Sequence, residues 1–179
     1  MNEVDFQKIS REDLDWLIGL YIADGSKLKE KQRQYRIHFY LNPKKDELIL
    51  KKLLNILISL NLNPNIQLKE KIGTLFIRVT NKMFFEKLPY DKSEKYVPKN
   101  IEAFIAGFLD GDGYVNKKEV GFSQTIAKWI GPFIVEYLEK KGVNIWTKGY
   151  YRNAFYFRAS VNKVKEKTNI IRFMAKAGN

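Results

Sequence analysis

Two aspartates, Asp24 and Asp112, each close an apolar run and stand directly before a glycine: Leu17 to Gly25 reads LIGLYIADG and Ile105 to Gly113 reads IAGFLDGDG. They lie 88 positions apart in a chain of 179 residues, so the sequence is organised as two copies of one unit. Each run predicts a helix that delivers a carboxylate at its carboxyl end, where exposed carbonyls add negative potential. Paired there, two carboxylates repel each other, and a divalent cation relieves that repulsion. The carbonyls of Ala23 and Gly111 can join the coordination. Cations so held can activate water and offset charge on a phosphodiester, and a symmetric pair of carboxylates suits two antiparallel strands.

Other chemistries are poorly supplied. The chain has no cysteine, which excludes disulfides, thiolate zinc sites and a cysteine nucleophile. Its single histidine, His38, cannot furnish a histidine metal cluster. Metal chemistry must therefore use oxygen ligands, which suits magnesium, manganese or calcium. The stretch Asp110-Gly-Asp112-Gly opens like a calcium loop, but the sixth position is Val115 rather than glycine and the twelfth is Gly121 rather than glutamate.

The elements that must position the pair follow from patterning. Gly19 and Ala23, and again Gly107 and Gly111, are small residues four apart on one side of each helix, which invites close packing of one helix on the other. Glycine inside a helix costs about 1 kcal/mol relative to alanine, so these positions call for a packing reason. After the first motif, Ser26 to Leu41 reads as a hairpin, Lys44 to Leu60 as a helix with Leu48, Leu53, Ile56 and Leu57 in helical period, Asn65 to Lys71 and Thr74 to Thr80 as a second hairpin, and Asn81 to Leu88 as a short helix. The order recurs: a motif helix from Lys99, strands at Tyr114 to Asn116 and Glu119 to Ser123, a helix from Thr125 to Lys141, strands at Val143 to Lys148 and Arg152 to Ser160, and a helix to about Met174. The expected fold is α+β, two pseudo-symmetric αββαββα repeats at 1–88 and 99–179 joined by a charged, proline-bearing linker at 89–98, with the motif helices packed at the centre.

The net charge of +12, spread over both halves, and an aromatic content of 14% point to a polyanionic partner such as nucleic acid. One face of each sheet packs on helices and the other is left outward. That outward face is expected to carry Arg36, His38, Tyr40, Lys69, Lys71, Arg78, Tyr156 and Arg158, which suit phosphates and base edges; His38 could equally be a packing residue. No apolar run is long enough to cross a membrane, and Met1 to Asp15 lacks the pattern of a secretion signal, so the expected setting is intracellular, with host DNA in a prokaryotic cytoplasm or an organelle.

On these residues both segments look like the LAGLIDADG motif, and the chain as a whole resembles the monomeric, two-motif LAGLIDADG homing endonucleases. The resemblance implies antiparallel sheets forming a saddle over the DNA major groove, and metal bound by the last Asp of each motif, here Asp24 and Asp112. Both strands would be cut across the minor groove at a long, nearly asymmetric double-stranded site, leaving short 3′ extensions. Magnesium is the expected cofactor, with manganese substituting and calcium binding without supporting cleavage. Asn42 and Gln124 match the polar residues such enzymes carry near the centre, although both also adjoin helix starts, where caps are expected. For the lysine that polarises solvent, Lys27 is the first choice, with Lys92 and Lys95 as alternatives. Ile22 replaces the usual first Asp of motif one, and Tyr21 and Phe108 are bulkier than usual. The alternative within the same fold is an intron-RNA maturase or a DNA-binding protein that does not cut.

Overall fold

The computed structural model describes residues 3–29, 35–69, 73–89 and 91–170. Lys71 and the expected helical stretch beyond Ile170 lie outside them. The described residues form two antiparallel four-stranded sheets and six α-helices. In chain order these are α1 (Arg11–Asp24), β1 (Gly25–Lys29), β2 (Tyr35–Leu41), α2 (Glu47–Ser59), β3 (Asn65–Lys69), β4 (Thr74–Thr80), α3 (Lys82–Lys87), α4 (Ile101–Asp112), β5 (Tyr114–Val115), β6 (Glu119–Gln124), α5 (Ile130–Lys140), β7 (Ile145–Tyr151), β8 (Ala154–Ser160) and α6 (Val161–Lys167). The sheets run β1-β2-β4-β3 and β5-β6-β8-β7, the same order twice, so the expected α+β architecture is the observed one.

Local chemistry starts each central helix. Ser10 accepts a hydrogen bond from the Asp13 amide at 3.0 Å and donates its hydroxyl to the Asp13 carboxylate at 2.9 Å, capping α1. Asn100 caps α4 through the Ala103 amide at 2.9 Å. Both helices are buried all round, Leu14 to Ile22 in one and Ala103 to Gly111 in the other, as befits helices enclosed by protein on every side.

Their packing obeys a twofold relation. A Cβ at Gly19 would strike the Phe104 carbonyl oxygen, and a Cβ at Gly107 would strike the Trp16 carbonyl oxygen. Phe104 and Gly107 stand 88 positions after Trp16 and Gly19, so each helix offers its glycine to the other's backbone at the same place. The small-residue stripe thus serves close approach. Gly25 and Gly113 repeat the pattern at the exits: each amide bonds back, to Tyr21 and Leu109. Neither has positive φ, so these glycines are not left-handed caps. A side chain at either would collide with the preceding turn of its own helix.

The second helix of each unit starts later than its periodicity predicts. Asn42 Oδ1 accepts from the amides of Lys44 and Lys45, both at 3.0 Å, while the Asp46 carboxylate accepts from the Asn42 amide at 2.8 Å. Gln124 Oε1 accepts from Thr125 and Ile126 at 2.8 and 2.9 Å. These side chains hold the backbone in turns, delaying α2 to Glu47 and α5 to Ile130. In α2 the core face uses Ile49 with Leu53, Ile56 and Leu57, and Leu48 is only half-buried. Arg152 and Asn153, expected to begin a strand, instead form the β7–β8 turn with φ of 45° and 69°.

Candidate metal and nucleic-acid site

Asp24 and Asp112 end the two packed helices and are both half-buried. The Asp24 Oδ2 lies 3.4 Å from where a Gly111 Cβ would stand, so this carboxylate faces the opposite motif. Ala23 meets the same glycine through its methyl. The structure therefore brings Asp24, Asp112, Ala23 and Gly111 together, as the motif spacing predicts.

Lys92, from the segment joining α3 to α4, reaches the end of α1 beside the acid pair. Its ammonium lies 3.4 Å from the Ala23 carbonyl oxygen and 5.6 Å from the centre of the Tyr21 ring. Burial lowers its pKa below the usual lysine value, while the negative charges of Asp24 and Asp112 pull it back up. The backbone of Lys92 is fixed as well, since its carbonyl accepts from Trp129 Nε1 at 3.0 Å.

Lys27, the first choice from sequence, goes elsewhere. In the β1–β2 register it lies opposite Ile37, on the core side of the sheet. Its ammonium donates to the Leu88 carbonyl at 2.5 Å and rests 4.4 Å from the centre of the Phe85 ring. Burial pulls its pKa down to about 8, partly offset by Glu86. Lys95 is exposed. The lysine at the acid pair is thus Lys92, the second of the three.

Gln124 Nε2 donates to Asp112 Oδ2 at 3.0 Å, so the amide orients that carboxylate as well as capping the following turn. Asn42 follows β2, one residue beyond Leu41, the register counterpart of Gln124, and its side-chain oxygen is taken by the turn. Asp110, two residues before Asp112, is fully buried and accepts from Trp16 Nε1 at 2.9 Å across the helix pair. By the repeat, Phe104 stands where Trp16 does and Ile22 where Asp110 does. A phenyl ring has nothing to donate, so the apolar Ile22 in motif one is the matched partner of that exchange.

The donors at the centre are oxygens, a set suited to a hard divalent cation. Among the described residues no group of three or more acidic, histidine or cysteine side chains is placed to hold a metal. An ion here would take two carboxylates and the carbonyls of Ala23 and Gly111 from the protein and complete its shell from water and substrate oxygens. The site's oxygen donors and its two negative charges fit such an ion.

The outward sheet faces are set by register. On the first sheet Arg36, His38 and Tyr40 of β2 lie opposite Thr80, Arg78 and Phe76 of β4, which in turn face Asn65 and Gln67 of β3. His38 is on this face but only 5% exposed, because its ring is covered by Phe76 at 4.6 Å and Tyr40 at 6.5 Å between centroids. It belongs to the floor of the surface. Arg36 and Arg78 are half-buried, Tyr40 and Lys69 exposed. On the second sheet Tyr156 and Arg158 are exposed and lie opposite Ser123 and Gly121 of β6. Asn65, Gln67, Ser123 and Tyr151 share these faces and were passed over in the sequence; strand alternation alone could have found Asn65 and Gln67.

No helix of the described residues is long and apolar enough to cross a membrane. No family model matches the chain. An uncharacterised protein of Methanocaldococcus jannaschii is 25% identical over 177 residues, covering 88% of this chain and 64% of that protein, so the chain spans just under two thirds of its length. Among solved structures, a mesophilic variant of the homing endonuclease I-DmoI superposes with a TM-score of 0.65 at 19% identity, over 90% of this chain and 96% of its own. Other I-DmoI structures hold DNA with manganese or with calcium. The LAGLIDADG homing endonuclease I-LtrWI, bound to its target DNA, gives 0.57 at 19% identity over 92% and 84%. Full-length DUF199/WhiA from Thermatoga maritima gives 0.61 at 17% identity, over 92% of this chain and 58% of its own. The two sheets flanking a central helix pair are therefore the LAGLIDADG fold.

Proposed function

We propose that this chain is a divalent-metal-dependent DNA endonuclease, acting as a monomer on a long, nearly asymmetric duplex site. The observation that carries this reading is the meeting of Asp24 and Asp112 at the ends of α1 and α4, with the Lys92 ammonium 3.4 Å from the Ala23 carbonyl oxygen beside them. One chain supplies both halves of the site, so no second copy is needed.

Asp24, Asp112 and the carbonyls of Ala23 and Gly111 would hold the metal, for which magnesium is the first candidate and manganese a substitute. When bound, the metal supplies Lewis acidity that makes water a nucleophile near neutral pH and offsets charge on the phosphodiester. Gln124 keeps Asp112 aimed by its 3.0 Å hydrogen bond. Lys92, half-buried and balancing both acids, can hold a positive charge against the scissile phosphate while the outward sheet faces seat the flanking duplex. Arg36, Arg78 and Arg158 are the natural phosphate or guanine contacts among them. I-DmoI, with this fold, has been seen with DNA and manganese, which favours the same partners here.

The test is to incubate the pure chain with duplex DNA spanning the site where its own gene is inserted, with the insert removed, and to map the ends with and without magnesium. A staggered cut that needs magnesium and is lost in Asp24→Asn and in Asp112→Asn is the expected result. Normal cutting by either variant would sink the metal assignment. Sequence-specific binding with no cut would leave a binder of the same fold, and intron RNA would be the next substrate to try.

A further inference from the structure

The two outward sheet faces differ in kind. The first presents long hydrogen-bonding side chains, Arg36, Arg78, Asn65, Gln67 and Lys69, over aromatic rings that pack on one another; the Lys69 ammonium lies 4.6 Å from the Phe76 ring centre. Arginine, asparagine and glutamine in such positions read guanine and adenine through paired hydrogen bonds. The second face is short and aromatic. Opposite Tyr156 stand Ser123 and Gly149, and opposite Tyr151 stands Ala154. Ser123, Tyr151, Ala154 and Tyr156 line an open hollow of about 260 Å³.

Three facts tie that hollow to a duplex partner. It lies at the end of β6 nearest the acid pair, on the outward face, since exposed Ser123 precedes buried Gln124, whose side chain bonds Asp112 on the other side of the sheet. Tyr151 is 63% exposed, so its ring is unburied in the free protein. Basic groups border it: Arg152 lies 5.2 Å from the Tyr151 ring centre, and Arg158 lies 6.0 Å from that of Tyr114. A cationic rim around an apolar floor fits a groove with phosphates at its edges and an apolar group at its base. In the DNA major groove that apolar group is the C5 methyl of thymine.

We infer that the second sheet recognises its half of the target through thymine methyl groups seated between Tyr151 and Tyr156, whereas the first sheet reads its half through hydrogen bonds. This rests on the DNA-binding reading and deepens it: the half-site under β5 to β8 places thymine at that hollow, and RNA, which lacks the methyl, is disfavoured there.

The test selects duplexes from a randomised pool with the full chain, then resynthesises the winner with deoxyuridine for thymidine in one half at a time. Burying one methyl is worth roughly fourfold in affinity, so uracil in one half should weaken binding by about that factor per methyl, with little change in the other half. The penalty should vanish in Tyr151→Ala combined with Tyr156→Ala and persist in Tyr156→Phe, which keeps the ring. Equal tolerance of uracil in both halves, or a penalty unchanged by the double tyrosine substitution, would overturn the inference while leaving a selected, magnesium-cleaved duplex as support for the nuclease. Failure to select any duplex would overturn both.

Discussion

Replacing Gly107 by alanine adds one methyl where the two central helices touch backbone to backbone. The new Cβ would land on the Trp16 carbonyl oxygen, 2.8 Å from its carbon and 3.0 Å from its Cα. Neither neighbour is a flexible side-chain end, so the helices must part by about 1.4 Å to turn the 2.0 Å approach into an ordinary contact of 3.4 Å. A gap of that size forfeits about half or more of the dispersion energy along the seam, and overpacking of this kind costs about 1–3 kcal/mol or more. Alanine's better helix propensity returns about 1 kcal/mol. Opening the seam also strains the 2.9 Å Trp16–Asp110 hydrogen bond, a buried pair whose loss costs about 1–3 kcal/mol. A net loss of about 3 kcal/mol is expected, equivalent to a fall in Tm of about 6–12 °C for a chain of this size. Thermal unfolding followed by circular dichroism measures it, and Gly19→Ala should behave alike because Phe104 blocks it in the same way. Cleavage, if the proposed function holds, should fall further than stability does, since the same movement separates Asp24 from Asp112. An unchanged or higher Tm would refute the backbone contact.

Lys92→Met should abolish or cripple magnesium-dependent cutting while duplex binding persists, whereas Lys27→Met should cut normally; the reverse result would return the central role to Lys27. Lys27 also carries a pH signature. Its folded pKa of about 8 lies below the ordinary 10.5, so the fold disfavours its charge, and stability rises as pH climbs from about 8 past 10.5. The full shift corresponds to about 3 kcal/mol, reduced by partial solvation to about 1–2 kcal/mol. Lys27→Met should therefore be more stable than the parent by that amount at pH 7 and lose the advantage above pH 10.5, as read by denaturant unfolding; a difference that does not vary with pH would contradict it. Arg78→Ala should weaken DNA affinity and reduce the slope of log K against log salt by about 0.9 if it meets one phosphate, and an unaltered slope would remove it from that role.

What the sequence disclosed and what it hid have separate physical causes. The acid pair was legible because a repeat carries its own control: Asp24 and Asp112 occur at one offset together with Gly19 and Gly107, and two helices that share a glycine stripe have one obvious way to pack. That the two sheets share one strand order follows from the same repetition, although the order itself shows only in the structure. The central lysine was not legible, because proximity along the chain is a poor guide to direction in a strand. Lys27 is three residues after Asp24, but strand alternation sets it with Ile37 beneath the sheet, and only the hairpin register shows this. Lys92 reaches the acids from 68 residues beyond Asp24 through a segment with no regular structure, so no periodicity points to it.

The unequal halves carry the deeper lesson. Asn42 and Gln124 both cap the turn after their strands, yet the register sets them one step apart: Gln124 is the last residue of β6 and matches Leu41 of β2, and Asn42 follows Leu41. With its oxygen spent on the Thr125 and Ile126 amides, Gln124 stands on the buried side of its strand, where the first sheet has the apolar Leu41, and its amide reaches Asp112 at 3.0 Å. Asn42, one residue further on, spends its oxygen on Lys44 and Lys45. Trp16 with Asp110, set against Phe104 with Ile22, is a second exchange of the same kind, in which a donor and its acceptor are lost together. Laying one half over the other thus exposes coupled substitutions that neither half shows alone. Each marks a contact made across the central helices or at the end of a strand, where the two carboxylates are aimed.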